Sequence, residues 1–151
     1  MQPNGISEKS CVPILFKEYP ELEERIPRIS LGQFPTPVQQ LHRSGFENLW
    51  IKRDDMSSSV YGGNKVRKLE FILGRAKKRN AAHIITFGGI GTNHGLATAV
   101  FCEKLGIRCR LLLFWQPVTP GVKQNLLLFS KFKADTIYKK SLWHTVISYY
   151  L

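Results

Sequence analysis

Apolar positions along this chain recur with two periods. From Lys65 onward Val66, Leu69, Ile72, Leu73 and Ala76 fall at helical spacing, which predicts a helix from Lys65 to about Arg79. His83-Ile84-Ile85-Thr86-Phe87 is a short apolar run, β-branched in its middle, and predicts a buried strand. Gly88-Gly89-Ile90-Gly91 then turns the chain. Thr92 or Asn93 caps a helix running to about Leu105, and Gly106 stands where a C-terminal glycine belongs. Arg108 to Trp115 predicts the next strand, and Pro117, Pro120 and Gly121 mark a loop. Val122, Asn125, Leu126 and Phe129 share one helical face, and Asp135 to Tyr138 predicts a short last strand. Leu49 to Lys52 is a further short strand ahead of them all. Strands alternating with helices of this length predict an α/β fold, an open parallel sheet with flanking helices. Met1 to Ile29 is polar and broken by proline, and reads as a surface arm.

Composition narrows the class. The chain has 151 residues, 43% hydrophobic and 22% charged, as expected of an ordinary globular domain rather than a disordered one. Its longest apolar runs, such as Leu111 to Trp115, are too short to cross a bilayer, so no membrane partner is expected. Met1 to Ser10 is polar and lacks a basic-then-apolar targeting pattern. Cys11, Cys102 and Cys109 show no CxxC spacing, which speaks against metal and for a reducing cytoplasm. The net charge of +11 raises a nucleic-acid surface. However, Arg75, Lys77, Lys78 and Arg79 lie at the end of a predicted helix, where cations complement its dipole, and no aromatic residues interleave with them. A small basic nucleic-acid-binding domain is kept as an alternative.

Two segments carry candidate chemistry. In Tyr61-Gly62-Gly63-Asn64-Lys65 a glycine loop hands a lysine to a helix N-terminus, with Asn64 as N-cap. That end disfavours a cation, and Arg67 and Lys68 stand close behind, so the arrangement favours a neutral amine able to condense with aldehydes. A solvated surface lysine after a common Gly-Gly turn has the same appearance. The second segment, Gly88-Gly89-Ile90-Gly91-Thr92-Asn93-His94, lies after a strand and before a helix, where open α/β sheets bind ligands and backbone N–H groups receive anions. A tight turn with no ligand would need the same glycines. A dinucleotide site fits less well. Counted from Gly89, the last glycine of G-x-G-x-x-G is His94, and the following strand closes in Phe114-Trp115-Gln116 without an acidic residue.

Taken in order, Phe34-Pro35-Thr36-Pro37-Val38, Leu49 to Asp55, Gly62 to Glu70, Gly88-Gly89-Ile90 with Thr92-Asn93-His94, and Gln124 to Leu128 resemble the D-cysteine desulfhydrase and 1-aminocyclopropane-1-carboxylate deaminase family. These are pyridoxal-phosphate enzymes of the tryptophan-synthase-β fold type. The resemblance runs from residue 30 to 138, with 1–29 as an arm and 139–151 as a divergent tail. It implies pyridoxal 5'-phosphate as cofactor, a small amino acid as substrate and a homodimer as candidate assembly. It places Lys65 where the family's lysine carries the cofactor as a Schiff base. Asn93 stands where an asparagine bonds the cofactor's phenolic oxygen, and Lys68 where a lysine approaches its phosphate. Thr92 occupies a serine position facing the substrate, and Asn93 and His94 complete the substrate side. The implied reaction frees Lys65 to take the substrate's α-proton while the pyridine ring stores the charge. Loss of a β-group such as sulfide, then hydrolysis, gives a 2-oxo acid and ammonia. Opening of a cyclopropane ring is the other implied outcome.

The chain also departs from the family pattern. Gly91-Thr92 replaces glutamine-serine, and Gly95-Leu96 replaces alanine or cysteine followed by arginine. Family members are roughly twice as long, as two-domain enzymes are. Their remainder carries a glycine-rich phosphate cradle and a partner for the pyridine nitrogen, neither of which Lys139 to Leu151 replaces. A shortened relative that keeps the fold without activity is therefore a further alternative.

Overall fold

The computed structural model describes residues 12–42, 45, 46, 48–141, 143 and 147. Most of the 139–151 tail and the first eleven residues of the 1–29 arm lie outside them. The chain forms two compact units, Met1–Arg75 and Ala76–Leu151.

In the first unit two short helices, α1 (Ile14–Glu18) and α2 (Leu22–Arg25), occupy the stretch read as an arm. α1 buries Phe16, whose ring meets Phe71 edge-on at 6.1 Å. Strand β1 (Val38–Gln40) pairs antiparallel with β2 (Trp50–Lys52). A 3₁₀ turn, Asp54–Ser57, leads toward α3 (Lys65–Lys78). Val66, Leu69, Leu73 and Ala76 are buried as their spacing requires, whereas Ile72 faces outward. The segment before β1 crosses α3 closely. A Cβ on Gly74 would meet the Pro27 carbonyl and Arg28 Cα at 2.7 Å, so glycine is needed there.

In the second unit β3 (His83–Gly89), β4 (Arg108–Phe114) and β5 (Asp135–Lys139) form a parallel sheet in that order. The first pair runs in register from His83↔Arg108 to Gly89↔Phe114. Helix α4 (Asn93–Leu105) packs on β3 and β4, and α5 (Pro120–Lys131) on β5. Eight consecutive residues of α4, Gly95 to Cys102, are buried. Thr92 caps α4, accepting from Gly95 N–H at 3.1 Å, and Gly106 ends it at φ 68° in the left-handed region. Thr119 caps α5. The buried strand is β4, with Leu111, Leu112 and Leu113. β3, expected to be buried, borders the sheet among the described residues, and Ile85 and Phe87 are 43% and 40% exposed.

Candidate active site

The loop before α3 is held in place by its own backbone. A Cβ on Gly62 would meet the Asp55 carbonyl at 1.8 Å, and Gly63 sits at φ +121°. Gly63 N–H donates to the Asp54 carbonyl at 2.7 Å and to Ser57 Oγ at 3.0 Å, while the buried Ser57 hydroxyl donates to the Gly63 carbonyl at 2.9 Å. Burial pushes the Tyr61 phenol above its ordinary range, so it stays a neutral hydroxyl beside the loop. This braced loop delivers Lys65 half-exposed at the first position of α3. Among the described residues its amine makes no hydrogen bond or ion pair, nor does that of the exposed Lys68 one turn later.

From the sequence, Arg67 is expected to repel a charge on Lys65. The structure pairs that guanidinium instead. Arg67 Nη1 lies 2.8 Å from Asp54 Oδ1, Nη2 lies 3.1 Å from Thr36 Oγ1, and the group stacks 4.6 Å from the Phe34 ring centroid. Lys52 is committed as well, donating to the Thr36 carbonyl and to its hydroxyl at 2.6 Å. Among the described residues Lys65 and Lys68 thus lack the partners that Arg67 and Lys52 have, and the repulsion invoked for Arg67 is offset by Asp54.

In the second unit the glycine loop ends at the N-terminus of α4. Thr92 Oγ1 is the cap, and its methyl group lies between two glycines. A Cβ on Gly95 would meet Thr92 Cγ2 at 2.5 Å, and one on Gly88 would meet Thr92 Cβ at 2.7 Å. A side chain at Gly91 would meet Val122 Cγ2 at 2.6 Å and Val122 Cα at 3.0 Å. His94 is half-buried, and its carbonyl accepts from the Thr98 hydroxyl at 2.8 Å. Asn93 is exposed and opens onto a cleft of about 400 Å³ lined by Gly91, Gln116, Thr119, Val122 and Asn125.

Asn93 and Asn125 are joined. Asn125 Nδ2 donates to Asn93 Oδ1 at 2.9 Å and to the Gly91 carbonyl at 2.8 Å. In the sequence Asn125 belongs to a helical face and to the Gln124 to Leu128 run of the family resemblance, with no site role assigned to it. The available signal was its polarity between Val122 and Phe129, both buried. Thr92, Asn93 and His94 thus gather at one helix end, while Lys65 and Lys68 lie one turn apart on α3 in the first unit. Among the described residues no group of three or more His, Cys, Asp or Glu could hold a metal ion, and no helix is long and apolar enough to cross a membrane.

The family model described as pyridoxal-phosphate dependent enzyme matches residues 29–139. The bifunctional D-cysteine desulfhydrase/1-aminocyclopropane-1-carboxylate deaminase, mitochondrial, of Arabidopsis thaliana is 41% identical over 106 residues, covering 66% of this chain and 26% of that protein. A D-cysteine desulfhydrase of Salmonella paratyphi B is 44% identical over 92 residues, covering 59% of this chain and 28% of that protein. The crystal structure of an ACC deaminase homologue matches with a TM-score of 0.74 at 30% identity, over 93% of this chain and 42% of that one. The matched stretch is thus less than half of each relative.

Proposed function

The chain belongs to the pyridoxal-phosphate dependent enzyme family, and from that premise we propose that it serves a desulfhydrase- or deaminase-type reaction on a small amino acid, with Lys65 holding the cofactor. The observation that carries this reading is the Lys65 amine, without a partner among the described residues, at the end of a braced glycine loop. The residues fit the cofactor in kind. A primary amine suits an aldehyde, the side-chain amide of Asn93 suits an anionic ring oxygen, and the free amine of Lys68 suits a phosphate.

When bound, pyridoxal phosphate supplies the electron sink that accepts charge when a bond at the substrate's α-carbon breaks. The chain's own residues do the rest. Lys65 Nζ would hold the cofactor and, as a free amine, would serve as the general base for the substrate's α-proton. Asn93 donates from Nδ2. Thr92 Oγ1 accepts from Gly95 N–H, which leaves its hydroxyl proton to donate to the substrate carboxylate. The backbone at the N-terminus of α4 adds a positive end to the same carboxylate, and His94 flanks it. Expulsion of sulfide from D-cysteine, with pyruvate and ammonia as the further products, is the first outcome. Opening of 1-aminocyclopropane-1-carboxylate is the second. The names of the relatives support both.

The test adds pyridoxal phosphate to the 151-residue chain, follows the visible absorbance of bound cofactor, and maps the pyridoxyl label after borohydride reduction. The label is expected on Lys65, and Lys65→Ala is expected to abolish it. A label elsewhere overturns the assignment. Sulfide release from D-cysteine against 2-oxobutyrate from the cyclopropane amino acid then separates the two activities. A folded chain that takes up no cofactor supports the second reading, a relative without catalysis.

A further inference from the structure

We infer that Asn125 is a positioning residue that fixes which end of the Asn93 amide faces the cleft. One atom of the pair is unambiguous. The Gly91 carbonyl only accepts hydrogen bonds, so the Asn125 atom 2.8 Å from it is the nitrogen. The same nitrogen has a second proton, and 2.9 Å away stands the Asn93 side chain. The Asn93 atom that meets a donor is its oxygen. Asn93 Oδ1 is therefore engaged on the α5 side, and among the described residues its Nδ2 makes no hydrogen bond. One backbone carbonyl thus sets two side-chain amides in turn, and what remains for the cleft is a donor. An unrestrained asparagine would offer donor or acceptor equally.

The placement of Asn125 is itself fixed. Val122 lies three residues before it and Phe129 four residues after it, on the face of α5 that is buried. A donor held in advance selects a ligand oxygen with acceptor or anionic character and pays no reorientation on binding. Identifying that oxygen as the cofactor's rests on the function proposed above. The orientation of the Asn93 amide does not.

Asn125→Asp keeps the shape and removes the donor. Its carboxylate turns the Asn93 amide round, so that Asn93 donates toward α5 and offers its oxygen to the cleft. Side-chain amide NMR of the cofactor-free chain reads this directly. The Asn93 amide protons, unbonded in the parent, are expected to shift and become protected from exchange in Asn125→Asp. In Asn125→Ala they are expected to move to averaged positions. Should Asn125→Asp not fold, the alanine variant carries the same readout. Pyridoxal phosphate affinity is expected to fall about tenfold or more in Asn125→Asp, with a smaller loss in Asn125→Ala. Gln124→Glu adds the same charge next door without touching Asn93, and is expected to lose clearly less. Asn93 amide resonances that do not respond to either Asn125 variant overturn the inference. A parent chain that takes up no cofactor defeats the proposed function and leaves the amide result standing.

Discussion

Glu70 is the residue on which the first unit's irregular entry segment converges. Its carboxylate is 3% exposed and lies 2.7 Å from Arg28 Nε. It also accepts from Leu31 N–H at 2.9 Å and Gly32 N–H at 3.3 Å, while its backbone carbonyl accepts from Ile29 N–H at 3.1 Å. In a stretch with no helix or strand, the Arg28 guanidinium and three backbone N–H groups thereby find their acceptors on one residue of α3, the helix that Lys65 opens. Removing one member of a buried, hydrogen-bonded ion pair typically costs about 3–5 kcal/mol, because the other charge is left without compensation. Glu70→Ala is expected to lose about that much in urea unfolding and to release the Leu31 and Gly32 amides to fast hydrogen exchange. Unchanged protection at those two amides would show that the segment is held by something other than Glu70. The same scale exposes a limit of sequence reasoning. Arg67 looked like a source of repulsion because its partner Asp54 stands thirteen residues upstream, and only the fold brings the two together.

Among the elements, α4 was the most legible. Its start at Thr92 and its end at Gly106 follow from local requirements, a hydroxyl for an orphan N–H and a residue tolerant of positive φ. α1 and α2, of five and four residues, are too short to show a helical period, so the stretch read as an arm. The spacing of apolar residues does not distinguish a central strand from a bordering one, which is why β3 was expected to be buried. The pairing of Asn125 with Asn93 spans 32 residues and lay equally out of reach. The α4 terminus also accounts for two departures from the family pattern together. Thr92 in place of serine adds a methyl, and Gly95 in place of alanine or cysteine leaves room for it, since a Cβ there would meet that methyl at 2.5 Å. Thr92 is stiff at χ1 and its Oγ1 is engaged in capping, so it yields poorly. Gly95→Ala is expected to destabilise the chain by about 1–2 kcal/mol despite the better helix propensity of alanine. In a Thr92→Ser background the same change is expected to be neutral or stabilising by up to about 1 kcal/mol. A double-mutant cycle measures the coupling, and strict additivity would show that the methyl does not set the choice of glycine.

At the scale of the whole molecule the two units differ in how their sheets are supported. β1 and β2 are three residues each, exposed along most of their length, and an isolated two-stranded pair is marginal in water. β4 is flanked by strands on both sides and carries Leu111 to Leu113 in the core, with α4 behind it. Stability is therefore expected to be uneven, with the slowest-exchanging amides in Arg108–Phe114 and the fastest strand amides in Val38–Gln40 and Trp50–Lys52. Phe129 gives the decisive perturbation. It is 1% exposed and anchors the face of α5 that also carries Asn125. Phe129→Ala is expected to cost about 3–5 kcal/mol, through lost apolar contact and the cavity left behind. If the units are separate cooperative bodies, exchange accelerates throughout Arg108–Phe114 and the Leu31 and Gly32 amides held by Glu70 keep their protection. If protection falls by the same factor in both places, the chain unfolds as one body, and stability measured on either unit belongs to the whole. Hydrogen exchange read by mass spectrometry at peptide resolution separates the two outcomes, because the Glu70-bonded amides and β4 fall in different peptides. The result also governs how the Asn125 variants are read. In separate bodies, a loss of Asn93 geometry leaves the Lys65 loop intact, so labelling of Lys65 by borohydride persists even where affinity for the cofactor falls.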